Sequence, residues 1–192
     1  ELERMGVDAL IVADVGAVRR IHGAYPGMEL HASTQMSVHN VEGARFAAAL
    51  GCCRVVPARE LSKAEIAAIV DEGPCEVEVF LHGALCVSHS GQCLFSSLVG
   101  GRSGNRGECA QPCRLPYHGG YPLSLTDLSL AGHIEELISS GVASLKIEGR
   151  MKSPDYVFTV TSVYRRLLDE GRSADEKEKA ILAAAFSRGG FT

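Results

Sequence analysis

The chain has 192 residues with a formal net charge of −4; 46% of them are hydrophobic and 22% charged. That length suits one substantial core, or one domain with a short appendage, and the acidic balance excludes a broadly basic surface, so any RNA contact has to be local. No apolar run approaches the roughly 20 residues that cross a bilayer, and "ELERMGVDAL" has no signal-peptide pattern, so the expected setting is soluble and cytoplasmic.

"ELERMG" reads as the last turn of a helix closed by Gly6, so the chain is expected to start inside a repeating architecture, as a piece of a longer protein. "ALIVAD" (Ala9 to Asp14) is a continuous apolar run, the mark of a strand covered on both faces. A short helix, "GAVRRIHGAY", and a strand, "MELHAS", follow. "TQMSVHNVEGARFAAALG" reads as one helix ending at Gly51, and "CCRVVPARE" as a strand. "LSKAEIAAIVDEG" opens with a capping box, Ser62 and Glu65, and "CEVEVFLHG" is the next strand. A glycine-punctuated, cysteine-rich loop then runs from 83 to 117. "YPLSLTDLS" is extended, "AGHIEELISSG" helical, "VASLKIEGR" a strand and "DYVFTVTSVYRRLLDEG" a long helix.

Strands alternating with helices predict an α/β fold with a parallel sheet. Their number and spacing suit a TIM-barrel-like (β/α) domain over residues 1–170, truncated at its N-terminus. Residues 171–192 are expected to be a linker and the start of a further segment, "AAAFSRGGFT". An open doubly wound sheet is the alternative, but no glycine-rich phosphate loop follows a strand to support it. Asp14, His31, Ser33, Gln35, Arg59, Glu60, His82, Lys146, Glu148 and Arg150 all fall at or just past predicted strand ends. In a barrel those ends share the face that carries the active site. His82, Glu148, Arg59 and Glu60 are therefore the catalytic candidates, with His82 and Glu148 suited to proton transfer. His31, Gln35, Lys146 and Arg150 are the substrate-binding candidates. Arg59, Lys146 or Arg150 suits a small carboxylated molecule, since arginine offers carboxylates a two-pronged fork. Plain salt bridging, Arg59 with Glu60 and Lys146 with Glu148, is the alternative reading.

Four of the seven cysteines are spaced Cys86-x6-Cys93-x15-Cys109-x3-Cys113 in that loop. Without a signal peptide, metal or redox chemistry takes precedence over disulfides. Structural zinc sites use close pairs, which Cys109 and Cys113 match and Cys86 and Cys93 do not. A [4Fe–4S] cluster accepts more varied spacing, and Arg102, Arg106 and Arg114 would offset thiolate charge. Zinc, a cluster and four buried thiols all remain open on these residues. Cys52, Cys53 and Cys75 read as packing residues.

"EVFLHGALCVSHSGQCLFS" (Glu78 to Ser96) resembles the signature of the collagenase-like peptidases of unassigned mechanism (the PrtC group). "HASTQ", "ARELS", "GRSGNRGECAQPCRLPY" and "KIEGRMKSPDYV" add matches in order along nearly the whole chain. The stretch from Gly101 to Tyr117 is most similar to the branch of 23S rRNA cytidine hydroxylation proteins; tRNA-uridine and ubiquinone hydroxylation branches are more distant. The resemblance implies a barrel-like catalytic domain and an iron–sulfur cluster on cysteines of this loop. It further implies RNA as substrate, prephenate as co-substrate, and partner chains in homo- or hetero-oligomers. Peptidase activity is the competing reading, yet neither a G-x-S-x-G elbow nor H-E-x-x-H is present. A cysteine peptidase would have to pair Cys86 with His82 or His89. A non-catalytic, cluster-bearing partner subunit is the third.

Overall fold

A computed structural model describes residues 2–187 and 190–192, with the side chain of Glu3 left out. Glu1 of the expected opening turn, and Arg188 and Gly189 of the terminal stretch, lie outside the described residues. The chain forms two compact units: Glu1–Val79 with Ser88–Pro112, and Phe80–Val87 with Cys113–Thr192.

The first unit is a parallel ladder with helices. Strands β1 (Ala9–Val12), β2 (Glu29–Ala32) and β3 (Arg54–Val55) pair in sequence order, and β3 pairs with the first half of β4 (Glu76–Ala84). Helices α1 (Val15–Ala24), α2 (Val41–Leu50) and α3 (Lys63–Glu72) connect them and pack in order. The register aligns Ala32, Val55 and Val77 on one face, all buried, where they meet the helices' apolar stripes. The opposite face carries Ile11, His31, Arg54 and Glu76 in register. Ile11 is 54% exposed there, so β1 is not covered on both faces as its apolar run suggests. Period-two alternation, not the hydrophobicity of the run, decides what each side chain meets.

Two helix starts separate expectation from structure. The capping box at α3 forms as read: Ser62 accepts from the Glu65 N–H while the Glu65 carboxylate accepts from the Ser62 N–H. The preceding helix does not begin at Thr34. Thr34–Met36 is one 3₁₀ turn, Ser37 adopts a left-handed conformation (φ 56°), and α2 starts after Asn40, whose side chain caps the Gly43 N–H.

The second unit is built on the end of β4, which pairs antiparallel with β5 (Asp127–Ser129) and also pairs with β6 (Ser144–Ile147). The sheet is mostly parallel with this antiparallel exception, and no closed barrel forms among the described residues. Helix α4 (Phe95–Gly100), within the cysteine loop, belongs to the first unit, while α5 (Ile134–Ser139) follows a 3₁₀ turn in the second. Helix α6 (Pro154–Glu170) is capped by Ser153 and buries Tyr156, Val160, Val163, Tyr164 and Leu167. Within the stretch 171–192, expected to be a linker and the start of a further segment, residues 176–185 form helix α7 (Glu176–Ala185). Its Leu182 joins the α6 core. Among the described residues no helix is long and apolar enough to cross a membrane.

Candidate functional site

In the first unit the polar centre is Ser90. Its N–H and hydroxyl donate to the two carboxylate oxygens of Glu60, at 2.9 and 2.8 Å. Its carbonyl accepts from the Ser37 hydroxyl, and its hydroxyl oxygen accepts from the Arg59 N–H. Burial alone would raise the Glu60 carboxyl, but the Ser90 hydrogen bonds, its own backbone and His39 outweigh it and hold it at about 2. Glu60 thus works with His39 and His89, whose ring nitrogens lie 3.2 and 3.4 Å from it. Gly91, next in the loop, has φ +77°, and a Cβ there would sit 2.4 Å from the Gln35 carbonyl oxygen. Only glycine lets this loop lie so close to the turn after β2.

Among the described residues, two groups of side chains able to ligate a metal bring their ligand atoms within 4.8 Å of one another: His39 with Glu60 and His89, and Glu29 with His31 and Cys53. His31 is buried, 3.6 Å from the Glu29 carboxylate, with no hydrogen-bond partner at Nε2. Gln35 instead donates to the Gly104 carbonyl, joining the β2 turn to the cysteine loop.

None of the four loop cysteines is buried, and they divide between the units: Cys93 and Cys109 in the first, Cys86 and Cys113 in the second. Each unit ties an early segment to a late one. In the first, Asn105 donates to the Gly91 carbonyl, and Ser96 links to Cys109, donating to its Sγ (3.7 Å) while accepting from the Ala110 N–H. The Gln111 N–H also donates to the Cys109 sulfur, at 3.3 Å. In the second, the Arg114 guanidinium donates to the carbonyls of Leu85 and Leu125 and to the Ser124 hydroxyl. Arg114 follows Cys113 and Leu85 precedes Cys86, so one side chain fixes the backbone beside both. Donors aimed at a sulfur and flanks pinned by charged hydrogen bonds suit thiolate ligands. Cys52 and Cys75 are buried, and burial drives the Cys75 thiol up to about 11; Cys53 is exposed, contrary to a packing role.

In the second unit His82 is 1% exposed, among Tyr156, Tyr164 and Phe191. Its Nδ1 lies 3.0 Å from the Tyr164 hydroxyl, and Nε2 has no hydrogen-bond partner. Burial lowers its pKa to about 4; Asp127 opposes the shift and Lys152 adds to it. A depressed histidine favours the fold fully above its unfolded pKa, near 6.5, and loses that contribution as pH falls toward 4. Urea midpoints are expected to decline across that window, and His82→Gln to flatten the decline; an equal slope in the variant would assign it to other groups. Glu148 accepts from the Arg150 N–H at 3.0 Å, its own N–H donates to the His82 carbonyl, and Lys146 sits over the Phe80 ring.

Across residues 1–192 the chain matches the model of a family described as Peptidase family U32. The chain belongs to that family. It is 42% identical, over 97% of its length and 29% of the relative's, to the 23S rRNA 5-hydroxycytidine C2501 synthase of Escherichia coli (strain K12). It is 39% identical, over 85% of the chain and 43% of the relative, to the tRNA hydroxylation protein P1 of Bacillus subtilis (strain 168). A protein named Collagenase from Porphyromonas gingivalis is 32% identical over 97% of the chain and 52% of its own length. The chain thus spans 29% to 52% of these three U32 relatives. No solved structure matches it. The family read from the Glu78 to Ser96 motif is the one found.

Proposed function

We propose that this U32 chain serves an enzyme that hydroxylates an RNA base, with Cys86, Cys93, Cys109 and Cys113 as ligands of a [4Fe–4S] cluster. The observation that carries the reading is that hydroxylation proteins for both rRNA and tRNA align over 85% or more of the chain. A cluster, when bound, supplies single electrons or an open iron for a substrate oxygen. The chain's own residues prepare the ligands: the Ser96 hydroxyl and the Gln111 N–H aim hydrogen bonds at the Cys109 sulfur, and Arg114 holds the backbone beside Cys86 and Cys113. Arg59, Lys146 or Arg150 is proposed to bind a carboxylated co-substrate such as prephenate, and His31 and Gln35 are proposed substrate contacts. Glu148 is proposed to handle protons, and Glu60, its pKa held at about 2, to serve as a fixed negative charge; His82, uncharged at neutral pH, would handle protons only as a base. In the whole protein the parallel ladder is proposed to be part of a (β/α) barrel, acting in the cytoplasm.

The test is anaerobic purification of the full-length protein with iron and sulfide counts, beside Cys109→Ala, and nucleoside mass spectrometry of rRNA and tRNA from cells lacking the gene. About four irons per chain, lost in the variant, and one missing hydroxylated nucleoside are expected. A colourless, iron-free protein and an unchanged nucleoside set would overturn the proposal. The collagenase-named relative favours peptidase activity as the second reading. Peptide hydrolysis that survives iron removal and is lost in Cys86→Ala would support it.

A further inference from the structure

The geometry points to a mononuclear site for a divalent transition cation of the Zn²⁺/Fe²⁺ class on His39 Nε2, Glu60 Oε1 and His89 Nδ1. All three residues belong to the first unit and none is one of the four loop cysteines, so the site stands whether or not those thiols hold a cluster.

The first argument is the state of His39. Its Nδ1 lies 2.5 Å from the Ser37 carbonyl oxygen, which only accepts, so Nδ1 carries a proton and donates it. In the neutral ring, Nε2 then presents a lone pair, and it points at the Glu60 carboxylate from 3.2 Å. A lone pair facing a carboxylate repels unless a proton or a cation lies between them. His89 directs a second ring nitrogen at the same oxygen, from 3.4 Å. With protons alone, His39 must carry a charge to donate from both nitrogens, whereas His89 can donate from Nδ1 as a neutral ring. One cation satisfies both rings in their neutral form. A histidine whose far nitrogen donates to a backbone carbonyl is the arrangement that orients metal-bound imidazoles.

The second argument is distance. Bonds of about 2.0–2.2 Å in tetrahedral geometry place neighbouring ligand atoms about 3.3–3.6 Å apart, and octahedral geometry about 2.8–3.1 Å. The contact of 3.4 Å to Glu60 Oε1 matches the tetrahedral separation, the one of 3.2 Å lies between the two geometries, and all three ligand atoms lie within 4.8 Å of one another. An ion can enter with little rearrangement.

The third is preorganisation and access. Ser90, itself buried, fixes both carboxylate oxygens of Glu60, and Ser37 holds the Ser90 carbonyl while its own carbonyl orients His39. The same two serines therefore set two of the three ligands. The His89 side chain is 80% exposed, which leaves a path from solvent and room for water ligands. Two imidazoles and one carboxylate with open positions suit zinc or ferrous iron; magnesium and calcium prefer all-oxygen sets.

The test uses chelator-treated full-length protein titrated with Co²⁺, a spectroscopic substitute that separates nitrogen and oxygen ligation from thiolate ligation by its charge-transfer absorption. One Co²⁺ with visible d–d bands and no sulfur charge transfer is expected, displaced by Zn²⁺ or Fe²⁺ and not by a large excess of Mg²⁺. His89→Ala, which alters a mostly exposed ring and spares the fold, should weaken that binding on the order of tenfold or more. His39→Ala should do the same. In Cys109→Ala the signal should persist, which distinguishes this site from the cysteines. Binding unchanged in both histidine variants, Co²⁺ held only by thiolates, or equal displacement by Mg²⁺ would each overturn it.

Discussion

Replacing Gly83 with alanine is expected to destabilise the protein by about 2–5 kcal/mol, from left-handed strain and overpacking together. Gly83 has φ +115°, and a Cβ there would lie 2.7 Å from the Glu148 carbonyl oxygen and 2.8 Å from the Glu148 Cβ. The backbone oxygen cannot swing aside, because the Glu148 N–H is bonded to the His82 carbonyl and the Tyr156 hydroxyl donates to the Glu148 carbonyl. Gly83 also pairs with Leu128 on β5, three residues before Cys86, so a shifted β4 moves the start of the cysteine loop. If the loop holds the proposed cluster, the same variant of the full-length protein should lose iron along with stability. Gly100→Ala is the control: nothing lies within 4 Å of its Cβ position, and its midpoint should stay within about 0.5 kcal/mol of wild type. Equal urea midpoints for the two variants would show that β4 and Glu148 can separate at little cost.

That close approach was legible only in part from "LHGALC". The glycine announces a special backbone; it does not say which chain segment passes beside it. The same limit explains the expected helix over Thr34 to Gly51. Its apolar spacing is continuous enough, but Asn40 caps the Gly43 N–H and Ser37 turns left-handed, so a cap inside the run outweighs periodicity. The antiparallel β5 was hidden for another reason. Three residues of strand carry too little alternation to reveal direction, and β5 gains its place from pairing with β4.

The candidate site divides along similar lines. Glu60 was legible as a carboxylate past a strand end, with an ion pair to Arg59 as the plain alternative. Glu60 meets His39 and His89, 21 and 29 positions away in sequence. No spacing rule links a turn before α2 to a loop after β4. A signal did exist for Arg114, since it adjoins Cys113; charge compensation was the obvious role. The structure uses its fork on three backbone and hydroxyl oxygens, where it fixes the cysteine flanks.

Leu182→Ala should cost about 2–5 kcal/mol, the range for emptying a leucine-sized space in a packed core. Leu182 is fully buried, in one cluster with Val160, Val163, Leu167 and Ile134, although it lies in the stretch 171–192 expected to be a linker and the start of a further segment. The sequence does contain a start signal, Asp175 with Glu178 three residues on, the same box that marks α3. Glu178 has a second task that obscures it: its buried carboxylate takes both prongs of Arg172, and that hydrogen bonding holds its pKa at about 2. The box therefore fixes the α6–α7 turn through a charge pair as well as a cap. Ile181→Ala, one residue earlier and 37% exposed, should move the urea midpoint by no more than about 0.5 kcal/mol. If Leu182→Ala is as mild, α7 is an appendage that docks without supporting the second unit. If it is severe, the α6 core that backs His82 and Tyr164 depends on α7, and a chain ending before Glu176 should fail to hold β4 and β5 together.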